Sequence, residues 1–171
     1  MAIQIQAVKA LSPQQIADLS QVLIACVKAG ASVGFMLPLS DTKAAHYWQT
    51  VNSSLQQGER LVFIAESETG ELVGSVQIVL AQPENQPHRG DLSKMLVHPH
   101  ARRQGLAAKL LAAAEAGARE HHKTLLVLDT ANPDAERVYE RGGWQRIGKI
   151  PDYALWPMGG LCETTLFYKQ L

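Results

Sequence analysis

Ile3 to Val8 alternates apolar residues with glutamines, the period-two mark of a half-buried strand. Ser12-Pro13-Gln14-Gln15 then reads as an N-cap, a proline at the first helical position and a glutamine closing a capping box. Ile16, Leu19, Leu23, Cys26 and Val27 form a helical stripe that Gly30 ends. Ser40 or Asp41 caps a second helix, with Ala44, Trp48, Val51 and Leu55 on one face and Gly58 at its end. Arg60–Glu66 and Leu72–Ala81, joined through Glu68-Thr69-Gly70-Glu71, read as a hairpin. After a loop holding Pro83 and Pro87, Asp91–Val97 is the fourth strand and Gly105–His121 a helix. Leu125–Asp129 is an unbroken apolar run, as in buried parallel strands. Asn132-Pro133-Asp134 caps a short helix through Arg141, stopped by Gly142-Gly143. Trp144–Ile150 is a sixth strand, and a Pro/Gly loop leads to the last one, Glu163–Lys169.

This order predicts an α/β (α+β) fold: a mixed, mostly antiparallel sheet of about seven strands with helices on both faces. Consecutive strands before the first crossover pair antiparallel, and the crossover helix makes strands four and five parallel. No internal repeat or linker divides the chain, so residues 1–171 read as one domain.

The segment Lys94–Leu111 carries the first chemistry. Its apolar run Met95-Leu96-Val97 stops at His98-Pro99, two arginines follow, and Gly105 opens an alanine- and leucine-rich helix. Free N–H groups at a helix start favour anions, and glycine lets the backbone approach closely, so this turn suits a phosphorylated ligand. Sixteen basic residues balance sixteen acidic ones, which leaves no global field to attract nucleic acid. No leader and no apolar run of membrane-spanning length is seen, so a cytoplasmic protein that contacts no membrane is expected. Cys26 and Cys162, both in apolar company, read as buried free thiols.

Together with the element order, R-R-x-G-x-A at Arg102–Ala107 and N-P-x-A-x-x-x-Y at Asn132–Tyr139 resemble the GNAT superfamily of acetyl-CoA-dependent N-acetyltransferases. Within that superfamily, Gly30–Met36, the K-M-L-V-x-P run, Leu128-Asp129-Thr130 and the C-terminal P-x-Y-A and T-x-x-F-Y-K patterns look like the tabtoxin resistance acetyltransferase. The resemblance implies acetyl transfer from acetyl-CoA to a small amine, amino-acid-like or toxin-like. The attack is direct, in a ternary complex, since no activated cysteine is apparent for a covalent intermediate. It implies no metal, and a monomer or homodimer. Toxin or antibiotic resistance follows from the same likeness.

Residue by residue, the pyrophosphate cradle falls on Arg102, Arg103, Gln104, Gly105, Leu106, Ala107 and Ala108. The pantetheine arm falls on Met95, Leu96 and Val97, bound like an added strand. Asn132 caps its helix and is placed to touch the cofactor arm. Tyr139 takes the general acid's place, because a phenol (~10) is protonated at neutral pH while a thiol (~8.5) leaves. The acceptor ammonium must lose a proton. Asp91, on the same strand face as Ser93, Met95 and Val97 by even spacing, and Asp129, ending strand five, are the candidate bases or ammonium binders. Asp91 or Asp129 could instead pair with Lys94 or Arg89. The Ala31–Met36 loop, with Ser32, Val33, Phe35 and Met36, is expected to hold the acceptor, and Tyr153 and Trp156 line its pocket or pack the late loop.

Two motifs point elsewhere and lack their context. Gly30-Ala31-Ser32-Val33-Gly34 matches the G-x-S-x-G nucleophile elbow, but a helix precedes it where a strand is needed. His98/His100 and His121/His122 have no carboxylate or cysteine at ligand spacing. A protein N-terminus or lysine as acceptor, or a CoA-binding regulatory module without turnover, remain the rival functions.

Overall fold

A computed structural model describes residues 3–171. Seven strands form one sheet: β1 (Ile3–Val8), β2 (Arg60–Ser67), β3 (Leu72–Val79), β4 (Arg89–Val97), β5 (Leu125–Thr130), β6 (Gln145–Leu155) and β7 (Leu161–Gln170). Their order across the sheet is β1-β2-β3-β4-β5-β7-β6. All neighbours are antiparallel except β4 and β5, which are parallel as the crossover predicts. The helices are α1 (Pro13–Lys28), α2 (Asp41–Gln56), α3 (Leu106–Glu120) and α4 (Pro133–Arg141).

The capping chemistry is in place. Ser12 and Gln15 form the reciprocal box of α1, and Ser40, rather than Asp41, caps α2. Leu19, Leu23, Val27, Trp48 and Val51 bury against one face of the sheet with Val62, Ile64 and Leu96. Leu106, Leu110, Ala114 and Tyr139 bury against the other with Phe63, Ile78, Leu92 and Leu126. Cys26 and Cys162 are buried free thiols. No helix among the described residues is long and apolar enough to cross a membrane.

Two departures from the sequence pattern shape the site. First, Ser93 pairs with Gln77 but Leu96 pairs with Ser75, so Lys94 and Met95 together oppose Val76. Lys94 has φ 50, a left-handed backbone that a bulge demands. The extra residue reverses the faces of β4. Asp91 and Ser93 lie on the α1/α2 side, whereas Met95 and Val97 pack against the α3 cluster. The even-spacing expectation of one shared face is therefore wrong, because a bulge shifts the period-two alternation by one.

Second, β6 runs to Leu155 instead of ending at Ile150, and β7 begins at Leu161. Only the turn Trp156–Gly160 remains of the expected Pro/Gly loop, and the Trp156 N–H bonds to Gly160 O at 2.9 Å. Pro151 is tolerated because β6 is an edge strand. Ile150 pairs with Thr164 and Ala154 with Cys162, so Pro151, Asp152 and Tyr153 bulge opposite Glu163 alone.

Candidate active site

β4 and β5 pair only over Arg89–Leu125, Gly90–Leu126 and Asp91–Val127. Beyond these positions the strands part, leaving the β4 edge from Leu92 onward without a neighbouring strand on that side. This is a free set of backbone groups to which an extended amide-bearing arm can add as a strand. Met95 and Val97 are half-buried along it and Leu96 is buried. The Val97 carbonyl is already occupied, accepting from Arg102 Nε at 3.2 Å and the Cys26 thiol at 3.4 Å. Arg102 thus folds back onto β4 and braces its end.

At that end a 3₁₀ turn, Pro99–Ala101, leads into the start of α3. Arg103 has φ 62 and Gly105 φ 71. Gly105 is the N-cap of α3 and no side chain caps this helix. The N–H groups of Arg103 through Ala108 find no backbone acceptor among the described residues; the first to do so is Lys109, bonded to Gly105 O at 3.2 Å. Left-handed turns with converging free N–H groups make an anion nest, and the helix dipole adds about 0.3–1 kcal/mol. The exposed Arg103 and Gln104 border it. The open β4 edge and this nest, joined end to end, fit a long arm ending in a pyrophosphate, which is the shape of acetyl-CoA.

Where β4 and β5 diverge, a cavity of about 260 Å³ opens. Ser32, Val33 and Gly34 line it from the α1–α2 loop, Leu92, Ser93 and Lys94 from β4, and Asp129 from the end of β5. Tyr153 and Thr164 of the β6–β7 pair close another side. The Leu37 N–H bonds to Pro157 O at 2.9 Å and ties the α1–α2 loop to the β6–β7 turn.

Of the residues expected around the acceptor, Ser32, Val33 and Asp129 meet here. Phe35 instead stacks edge-on against Tyr47, centroids 5.2 Å apart, and Met36 is exposed at the loop's surface. The Ser32 hydroxyl lies 3.7 Å from the Cys162 thiol, with no histidine beside it. Asp91 does not line the cavity. Its carboxylate is bonded by Arg89 and, at 3.1 Å, by Gln82 Nε2, at the closed end where β4 and β5 still pair. Asp129 Oδ2 accepts from Thr164 Oγ1 at 2.7 Å and keeps its other oxygen for the cavity.

Tyr139 is buried on α4, its ring 5.8 Å from both Trp144 and Phe167. Among the described residues its hydroxyl has no hydrogen-bond partner. Burial, reinforced by the negative charge of Asp129, raises its pKa far above the usual phenol range. The helix that carries it is held tightly. Asn132 Oδ1 accepts the Asp134 N–H at 2.8 Å and caps the helix. Glu136 accepts from Thr165 of β7 at 2.7 Å and from Arg146 of β6 at 2.7 Å. Burial disfavours the Glu136 charge, yet these bonds and the Arg146 and Lys149 charges outweigh it and keep the carboxyl below its usual range.

Sequence reasoning missed Lys94, Thr164, Glu163 and Cys162 as cavity residues. Cys162 lies in the β6–β7 extension that Pro151 conceals, where only Tyr153 and Trp156 were marked, while Glu163 and Thr164 lie on the expected last strand with no role marked for them. Lys94 is carried into the cavity by a bulge that no residue type announces. Burial pulls its ammonium pKa down, Arg60 adds to this, and Asp129 partly restores it.

The Acetyltransferase (GNAT) family model matches residues 34–144, which take in the strand-turn-helix nest, the β4/β5 cleft and α4. This chain belongs to the GNAT acetyltransferase family. An uncharacterized N-acetyltransferase from the hisH-hisA intergenic region of Azospirillum brasilense is 31% identical over 129 residues, 74% of each chain. An acetyltransferase of Agrobacterium fabrum is 48% identical over 58 residues, a match spanning 33% of this chain and only 42% of that protein. The GNAT fold extends over the whole chain in solved structures. A phosphinothricin acetyltransferase of Sinorhizobium meliloti, solved with AcCoA, superposes with TM-score 0.81 at 15% identity, covering 100% of this chain and 89% of that one. The Salmonella typhimurium protein yncA, solved with acetyl-CoA, gives TM-score 0.80 at 17% identity over 100% and 95%. A ribosomal-protein-alanine N-acetyltransferase of Brucella melitensis gives 0.79 at 20% over 100% of both chains.

Proposed function

We propose that this GNAT protein transfers the acetyl group of acetyl-CoA to the amine of a small molecule of amino-acid-like or toxin-like kind. The attack is direct, in a ternary complex. The observation that carries the reading is the 260 Å³ cavity at the β4/β5 divergence, which places Asp129 beside the open β4 edge. Acetyl-CoA supplies an activated thioester. The free N–H groups of Arg103–Ala108 hold its pyrophosphate, and the β4 edge through Met95 and Leu96 aligns its arm. Asp129 binds the acceptor ammonium and takes its proton, directly or through water. Tyr139, kept neutral by burial, donates its O–H to the departing sulfur.

A protein acceptor would need an open groove between the α1–α2 loop and the last strands. The Leu37–Pro157 hydrogen bond bridges that gap and favours a small acceptor. The deciding experiment supplies acetyl-CoA with panels of small amines, amino acids and peptides and follows free thiol. Release with small amines supports the reading. Release with peptides alone moves the assignment to a protein acceptor, and tight CoA binding with no release from any acceptor moves it to a regulatory module.

A further inference from the structure

Lys94 is the charged group in the cavity that acetyl transfer leaves without a task. Its side chain lies under the α1–α2 loop, where a Cβ on Gly34 would stand 4.0 Å from Nζ. The ammonium sits 5.8 Å from the centre of the Tyr47 ring. That ring is fixed in turn, since Gln77 Nε2 donates to Tyr47 Oη at 3.1 Å and Arg60 Nη1 donates to Gln77 Oε1 at 2.5 Å. No carboxylate among the described residues lies within ion-pair distance of Lys94. Glu163, the nearer candidate by position in the lining, is engaged by Lys149 at 2.5 Å. A cation withdrawn from water without a counter-ion is costly, and so is its left-handed backbone; both persist only where something else requires them.

An anion entering the cavity would supply the missing partner. The lining places this cation and the Asp129 carboxylate in the same 260 Å³ space, with the hydroxyls of Ser32 and Ser93 beside them. One positive and one negative wall is the complement of a zwitterion. Asp129 lies toward Tyr139, whose charge state it influences, and Lys94 lies toward Tyr47 and the α1–α2 loop. An acceptor spanning them would turn its amine to the reaction side and its acid group away.

We propose that Lys94 binds the carboxylate of the acceptor, so that the acceptor class is amino carboxylates, held across the cavity between Lys94 and Asp129. The inference rests on the small-amine reading above. The bulge at Lys94 is then a specificity device: it turns a strand residue out of the α/β alternation and into the acceptor cavity.

The test compares amino acids with their own carboxamides, which match in size and lack the negative charge. Wild type and the variants K94M, K94Q and K94R are compared by the ratio of kcat/KM for acid over amide. In K94M and K94Q this ratio should fall about 10- to 100-fold, chiefly through KM, as expected for loss of a charge-assisted bond. K94R should keep most of it. Comparing ratios cancels the different basicities of the two amines. As a measurement needing no variant, calorimetry on the wild-type protein should find an N-acetyl amino acid bound more tightly than its N-acetyl amide. An unchanged ratio in a folded K94M or K94Q, or equal binding of acid and amide products, overturns the assignment while leaving acetylation of small amines standing. Equal losses on acid and amide also overturn it, because Lys94 would then serve a step common to all acceptors. Thiol release with peptides and with no small amine removes both this inference and the reading beneath it.

Discussion

Replacing Tyr139 by Phe removes one oxygen from a residue only 4% exposed. The ring contacts with Trp144 and Phe167 are kept, so no cavity forms. The hydroxyl bonds to nothing among the described residues, so no protein hydrogen bond is lost. The hydroxyl is not a sealed, unpartnered atom of the kind that Trp48 Nε1 and Ser75 Oγ are, so removing it relieves no such penalty and folding stability should hold within about 0.5 kcal/mol. The chemistry should move the other way. A general acid contributes roughly 10²–10⁴ in rate, which is about 2.7–5.4 kcal/mol of barrier at ~1.36 kcal/mol per decade. The variant should therefore show a kcat lower by at least ~10² with unchanged CoA affinity and a urea midpoint close to that of wild type. Thiol release at saturating acceptor, calorimetry with CoA and urea melts supply the three readings. A rate within a factor of about two of wild type would remove Tyr139 from the acid's place, given the size of the expected effect. There is a pH signature as well. Burial and the Asp129 charge raise the Tyr139 pKa in the folded state, while the unfolded phenol ionises near ~10. The stability held by the neutral phenol is thus complete below about pH 10 and is lost as pH rises beyond it. Y139F should lose less stability than wild type over that alkaline range.

Three further substitutions probe other parts of the site. Asp129→Asn keeps the shape and an oxygen for Thr164 but removes the proposed base, so kcat/KM should fall by about 10² with CoA affinity unchanged; equal activity would exclude Asp129 as base. Glu115→Ala strips the partners of Trp144 Nε1 (2.8 Å) and Lys169 Nζ (2.6 Å) in a largely buried pair, and urea unfolding should show a loss of about 3–5 kcal/mol. Gly74→Ala sets a Cβ 2.8 Å from Leu96 O, which must push back β4, the proposed donor track; a loss of about 1–3 kcal/mol and weaker CoA binding are expected, and unaltered CoA binding would separate Leu96 from that track.

The legible parts of this protein were those set by local chemistry. The α1 capping box, the α1 and α2 stripes and the unbroken apolar run of β5 each report a cap or a periodicity, and each appears where the pattern puts it. The helix start at Gly105 was legible for the same reason, since glycine there answers a backbone need of its own turn. The failures are all tertiary. Nothing local says that β7 inserts between β5 and β6, because that order is decided by which edge remains open after the crossover. Pro151 reads as a strand breaker and is harmless only because β6 lies at the sheet's edge. Asp91 and Asp129 read as equals on their separate strands. They are separated by pairing: Asp91 sits where β4 and β5 are still joined and is taken up by Arg89 and Gln82, while Asp129 lies past the point of divergence.

That divergence and the bulge act on the same strand and divide its work. Up to Asp91, β4 is an ordinary interior strand with partners on both edges. Past it, the loss of β5 leaves an edge of backbone free, the proposed donor track. The one-residue slip at Lys94 then sends Leu96 into the α1/α2 core and Met95 and Val97 toward α3. Without the slip, Met95 would take Leu96's place against α1 and Lys94 would point to the α3 side, where Leu106 and Leu110 leave no room for a charge. A single inserted residue therefore does two things at once. It keeps an apolar residue beneath each helical layer, and it releases the one lysine of the strand into the cavity at the β4/β5 divergence. The free β4 edge thus comes from the divergence from β5 and the placement of Lys94 from the bulge against β3, so a change that restores regular pairing between β3 and β4 should move Lys94 out of the cavity while leaving that edge without a neighbouring strand.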